Sequence, residues 1–264
     1  MDSTIDLSDA SKALDLFNIR YQLIRLEDTI TFHLIERAQF PLNATIYKAG
    51  GIAIPNSDLS LFDWIMSASE RLHALVRRYE SPDETPFFPS ALEKPILQPL
   101  HYPQILHAND VNVNPEIKDS YINHILPTVC AQREERPEQQ ENYGSAATID
   151  VLVLQSLSRR IHFGKFVAES KFRTETDRFV KLIKAEDRKG IDEAITNMAV
   201  EQQVLDRLKL KAATYGTDPS GGSRDVGKID VDAVVNTYKN YVIPLTKVVE
   251  VEYLMQRLKG TEWE

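Results

Sequence analysis

Apolar residues recur at three- and four-residue spacing along most of the chain. Leu16, Ile19, Leu23, Leu26, Ile30 and Leu34 form one such stripe. This is the period of an amphipathic helix, and Ser8 or Asp9 is placed to cap its start. Ile65, Ala68, Leu72, Leu75 and Tyr79 form a second, ending at Ser81-Pro82, because the residue before a proline is pushed out of the helical region. Six of the 13 prolines fall between Pro82 and Pro103, interleaved with Phe and Tyr. That composition predicts an ordered loop within one domain (82–103) rather than a linker. A helix is expected from Pro115 to about Arg133, kinked at Pro127. Residues 134–144 read as a polar surface loop, followed by a long periodic segment from Ser145 to Arg173. Shorter helical patterns cover Asp177–Asp187 and Ile191–Tyr215, with Gly216 as a C-cap candidate and 217–229 as a second surface loop. A last helix opens at Asp230 and runs to about Lys259 with Pro244 inside it. The β-branched run VVNTYKNYVI (234–243) has strand character but stands alone. The pattern predicts an all-α protein, one domain over 1–264, built as a bundle of long helices.

Composition narrows the function. Of 264 residues, 42% are hydrophobic and 27% charged, the balance of a folded globular chain. Lys and Arg total 31 against 39 Asp and Glu, a net charge of −8. General nucleic-acid binding needs the opposite sign, so an anionic ligand has to be held by a local cationic site. The lone cysteine, Cys130, forms no disulfide within the chain, fits a reducing compartment and reads as a small buried apolar side chain. The start, MDSTIDLSDA, is acidic and polar, unlike a secretory or transit segment. The longest stretch without Asp, Glu, Lys or Arg, Pro95–Asn109, is too short to cross a bilayer. These features predict a cytoplasmic protein with no membrane association.

The informative residues are polar ones on apolar stripes. Read as a helix, Ile149, Val153, Ser156, Arg160, Gly164, Val167 and Lys171 share one face. Arg160 and Lys171 are eleven residues apart, so they return to within about 20° of each other, about 16 Å apart along the axis. Gly164 and Val167 between them make a shallow floor. Two cations over such a floor suit a small dicarboxylate. The competing reading, commoner for such residues, pairs each with an acid on a neighbouring helix. Asn197 and Glu201 are i, i+4 neighbours beside Ile195, Met198 and Leu205; Thr246 and Glu250 repeat that spacing, with Glu250 among Val248, Val249 and Val251. A carboxyl among valines resists ionisation and can donate a hydrogen bond, though either Glu taken alone also reads as a helix-surface residue. Arg20 flanks the first stripe and alone reads as a solvated arginine. No nucleophile signature appears, Gly164-Lys165 lacks the rest of a phosphate loop, and the six histidines lack metal-ligand spacing. No metal and no cofactor are expected. The pattern points to binding, or to a reaction that needs only binding.

Four segments carry a resemblance: RRYESPDETPFFP (77–89), NYGSAATID (142–150), LQSLSRRIHFGKFVAESKF (154–172) and VIPLTKVVEVEYL (242–254). Together, in this order and over nearly the whole chain, they resemble the fungal, yeast-type allosteric chorismate mutases. The resemblance implies an all-helical type II homodimer that rearranges chorismate to prephenate, the committed step towards phenylalanine and tyrosine. That reaction is unimolecular and pericyclic, which accounts for the missing nucleophile: the protein holds a compact dianion and stabilises charge on the ether oxygen. By motif, Arg20 and Arg160 would bind the two carboxylates with help from Thr246. Lys171 would serve the ether oxygen and a carboxylate. Glu201, beside Asn197, would accept from the ring hydroxyl, and a protonated Glu250 would donate to the ether oxygen. The resemblance also implies inhibition by tyrosine and activation by tryptophan at a site between subunits, on Arg77, Arg78, Asn142, Gly144, Ser145 and Thr148. The chain departs from the pattern at 217–228 and at Asp230, close to the family's regulatory hinge. Two other classes compete: a helical interaction protein without catalysis that has kept the fold or binds aromatic acids, and a lyase on a related enolpyruvyl compound, distinguished by release of pyruvate.

Overall fold

The computed structural model describes residues 6–131, 137–215, 217 and 228–264. Gly216, the helix end expected near Arg133 and most of the 217–229 loop lie outside the described residues. The helices are α1 (Ala10–Ala13), α2 (Leu16–Arg37), α3 (Leu61–Leu75), α4 (Asn114–Ser120), α5 (Leu126–Cys130) and α6 (Tyr143–His162). They continue as α7 (Gly164–Thr174), α8 (Thr176–Lys184), α9 (Arg188–Ile195), α10 (Met198–Thr214), α11 (Val231–Thr237) and α12 (Ile243–Gln256). The chain is all-α, and the described residues contain no strand.

Several boundaries differ from the sequence pattern, each for a local reason. Asp9 does cap a helix, but only the four-residue α1. The long stripe starts at Leu16 because the Asp15 carboxylate accepts from the Phe17 and Asn18 N–H groups, satisfying first-turn donors that have no helical partner. α3 stops at Leu75, short of Tyr79: the Leu75 carbonyl accepts from Ile96 N at 2.9 Å, and Arg77 turns left-handed at φ 68°. α6 opens at Tyr143, two residues inside the expected loop. The run from Ile191 to Tyr215 is two helices, broken at Thr196–Asn197.

The prolines act by widening rather than kinking. Residues Tyr121–Ile125 and Tyr238–Val242 each form a π turn, and each is followed two residues later by Pro127 or Pro244. Proline has no N–H to give back to the preceding turn, and a wider turn removes that demand without ending the helix. The run 234–243 is therefore helical, and its Val234 and Val242 pack in the core.

α6 and α7 form the central rod, with only Phe163 between them. α6 packs on α2, α3, α4 and α12, and α7 on α12, α2 and α8. Val153, Leu154, Leu157, Ile161, Phe166 and Phe172 are buried along it. Away from the cavity, several of its buried polar groups are matched. Asp150 takes Arg37 Nε at 2.7 Å and Tyr121 Oη at 2.6 Å. Arg37 also places Nη1 at 3.3 Å from Cys130 Sγ, and burial pushes that thiol up to about 11. Loop 82–103 is pinned at its start: Arg159 Nε donates to Asp83 at 2.8 Å, and Glu70 accepts from Phe87 N and Phe88 N at 2.9 and 2.7 Å.

Glu169 joins the rod to the last helix. Its buried carboxylate accepts from Tyr253 Oη at 2.7 Å, Arg257 Nε at 2.6 Å and Arg173 Nε at 2.8 Å. Glu169→Ala leaves those donors without their acceptor and is expected to cost about 3–5 kcal/mol. Urea unfolding of the variant, with its midpoint lowered at unchanged slope, checks this.

Candidate active site

A cavity of about 330 Å³ opens where α2, the α6–α7 rod, α10 and α12 meet. All seven residues singled out in the sequence line it: Arg20, Arg160, Lys171, Asn197, Glu201, Thr246 and Glu250. The face drawn along the rod divides. Arg160, Gly164, Val167 and Lys171 front the cavity, whereas Ser156 faces α2, with its Oγ 3.1 Å from His33 Nδ1.

Gly164 makes the cavity possible. A Cβ there would meet the Thr246 carbonyl at 3.0 Å and Glu250 Cγ at 3.1 Å. Those contacts are tighter than packed side chains normally allow, so α12 approaches the rod this closely only because position 164 has no side chain. The approach brings Thr246 and Glu250 over Arg160 and Lys171. Thr246 Oγ1 donates to the Val242 carbonyl at 2.6 Å, fixing its rotamer.

The cations are not consumed by neighbouring acids. Arg160 is 6% exposed, and its Nε and Nη1 have no hydrogen-bond partner. Among the described residues neither Arg160, Lys171 nor Arg20 forms an ion pair; Lys171 Nζ donates to the Ile195 carbonyl. Glu250 Oε2 is likewise buried without a partner. Burial pushes the Glu250 carboxyl up to about 7, against the opposing pull of Lys171, Arg160 and Lys247. An unpaired buried guanidinium and an unpaired buried carboxyl, each costly in an empty protein, share one cavity. They need a ligand with anionic groups for the arginine and an acceptor for the carboxylic acid.

Asn197 is not inside a helix. It is extended and caps α10, its Oδ1 accepting from Val200 N at 3.2 Å. The i, i+4 relation to Glu201 survives as cap and first turn. Periodicity passes over three further lining residues. Glu27, on the first stripe, is buried with Arg207 Nη2 at 2.8 Å and Lys211 Nζ at 3.2 Å, so its charge is balanced before an anion arrives. Arg207 lines the cavity too, as does Lys247, whose Nζ lies 2.8 Å from Glu201 Oε1. The readable signal for Glu27 was an acid on a buried stripe opposite Arg207 and Lys211 at i, i+4.

Comparison with known proteins settles the family. Residues 142–251 match the chorismate mutase type II family. The chain is 72% identical to the chorismate mutase of Emericella nidulans over 267 aligned residues, covering 100% of both. The chain belongs to the chorismate mutase family. It is an intramolecular isomerase of the fungal type. The Candida albicans chorismate mutase in complex with L-Trp superposes at a TM-score of 0.92, with 46% identity and 98% and 97% of the two chains covered. AtCM1 with tyrosine bound in its allosteric site gives 0.83 at 39% identity, covering 95% and 99%.

The residues expected to bind effectors do not converge within one chain. Arg78 Nη1 donates to Gln155 Oε1 at 2.8 Å, and Nη2 pairs with Glu84 at 3.0 Å. Arg77 Nη1 donates to the Gln98 carbonyl at 2.5 Å. Gly144, Ser145 and Thr148 are exposed in the first turns of α6, and Asn142, at its cap position, makes no side-chain cap hydrogen bond. Arg78 therefore meets α6 at Gln155, eleven residues past Gly144, about 16 Å along the axis. No helix in the described residues is long and apolar enough to cross a membrane.

Proposed function

We propose that the cavity binds chorismate and carries out its rearrangement to prephenate with the seven lining residues as the working set. The observation that carries this is the coexistence of unpartnered Arg160 and unpartnered Glu250 in one cavity. Arg160 on α6 and Arg20 on α2 hold the two carboxylates, with Thr246 beside them. Held this way, the ether side chain lies over the ring, the compact geometry that the bond exchange requires. Lys171 and protonated Glu250 donate to the ether oxygen as its bond to the ring breaks, so charge appearing there meets preplaced donors. Glu201 accepts from the ring hydroxyl, with Asn197 at its side. No proton leaves the substrate and no covalent intermediate forms. Loss of chorismate absorbance with appearance of prephenate tests the reading; release of pyruvate would assign a lyase instead, and no turnover would leave a binding protein.

Regulation and assembly belong to the same proposal. Residues 1–264 act as one domain, cytoplasmic and dimeric. Leu72 and Val76, one turn apart at the end of α3, are 61% and 48% exposed, and Leu152 on α6 is 37% exposed. This apolar surface, adjoining half-sites that lie apart in the single chain, supports a homodimer with the effector site shared between subunits. The first N–H groups of α6 at Gly144-Ser145 suit an amino-acid carboxylate. Tyrosine is the inhibitor and tryptophan the activator in this reading. Chorismate assays with each amino acid, alongside sedimentation, check both parts.

A further inference from the structure

We infer that Lys247 is a positioning residue for the rearrangement: it ties α12 to α10 across the cavity and holds the Glu201 carboxylate in place for the substrate's ring hydroxyl. This deepens the chorismate reading and rests on it.

The geometry is a bridge part-way along two elements that already meet at one end, where α10 packs on α11 and the π turn joins α11 to α12. α10 packs on α2 and α11, whereas α12 packs on α6, α7, α8 and α9. Lys247 Nζ and Glu201 Oε1 meet at 2.8 Å between those two helices, and both residues line the cavity. Their side chains are 26% and 30% exposed. A pair that open to water contributes little to folding. Its consequence lies in register: Lys247 follows Thr246 directly and precedes Glu250 by three residues, so it fixes Glu201 relative to the two α12 side chains that face the reacting atoms. Among the described residues Glu201 has no other ionic partner, and without Lys247 a flexible side chain on α10 would have nothing to set its height. A carboxylate that accepts from the ring hydroxyl with poor placement loses rate as well as binding.

Lys247 also belongs to the charge set around Glu250. Burial raises that carboxyl, while Lys171 from α7, Arg160 from α6 and Lys247 from α12 oppose the rise and Asp192 on α9 adds to it. Removing Lys247 lets the acid form of Glu250 persist to higher pH.

A double-mutant cycle tests the assignment with the full-length chain and chorismate as substrate. Lys247→Met is expected to lower kcat about tenfold with a smaller change in KM. The same substitution in the Glu201→Gln background is expected to cost less than twofold, because the group it positions is gone. Lys247→Arg restores most of kcat, and the alkaline limb of the Lys247→Met profile moves up. Lys247→Gln repeats the cycle should the Met variant fold poorly, as judged by circular dichroism. An equal loss in both backgrounds would make Lys247 a general source of positive charge or a direct substrate contact, and the inference would be wrong. Inactivity of the unmutated chain on chorismate would instead remove the underlying reading, and it shows before any variant is made.

Discussion

Arg160→Ala is expected to lower kcat/KM for chorismate by about a thousandfold, or about 4 kcal/mol of transition-state stabilisation. Arg160 is 6% exposed and lines the cavity with Nε and Nη1 unpaired, so in the proposed mechanism its hydrogen-bonding capacity is open to a carboxylate. Charge-assisted bonds to a carboxylate in a water-poor site are the strong kind, and alanine removes both the charge and the fork that orients it. The same variant is expected to keep or gain thermal stability. A buried cation without a partner opposes folding of the ligand-free protein, and its removal relieves that cost. Steady-state kinetics together with thermal unfolding check the pair of outcomes. A variant that loses stability in proportion to activity would make Arg160 a structural residue and remove the charge argument.

Glu250→Gln is expected to abolish the alkaline decline of the pH–rate profile. Burial pushes this carboxyl up to about 7, opposed by Lys171 and Arg160. In the proposed mechanism its neutral form donates to the ether oxygen, whereas its ionised form would face the charge developing there. Two pH units above that value only about 1% of the carboxyl stays protonated, so wild-type kcat/KM should fall about a hundredfold between pH 6 and pH 9. Glutamine donates at every pH, and its profile should be flat over this range. The bound dianion adds negative charge beside Glu250, which raises the carboxyl further, so the decline in kcat should lie at higher pH than the decline in kcat/KM. An identical decline in the Gln variant would move the titration to another group.

The elements most legible in the sequence were those whose information is local. The α2 stripe, the α6–α7 rod and the N-cap at Asp230 follow from spacing and capping chemistry, and the structure places helices there. Boundaries went astray where a distant group intervened. The Leu75 carbonyl is claimed by Ile96 from the returning loop, and no pattern in 65–79 announces that. Asn197 read as a helical residue because its stripe neighbours are apolar on both sides; its side chain instead caps α10.

The sequence by itself determined the helical class, the polar positions interrupting apolar faces and, through motif resemblance, the family. It left open whether Arg160 and Lys171 meet acids or a ligand, because periodicity states which face a residue occupies and not what stands opposite. Only the tertiary structure shows that, among the described residues, neither is paired with an acid. Four walls distant in the chain close on one space because Gly164 admits α12 against the rod. Glu27 is neutralised by Arg207 and Lys211, leaving Arg160 free. Lys247, which no reading of the spacing singled out, reaches Glu201 from α12. Convergence of this kind depends on how rods pack, a non-local property that no window along the chain contains.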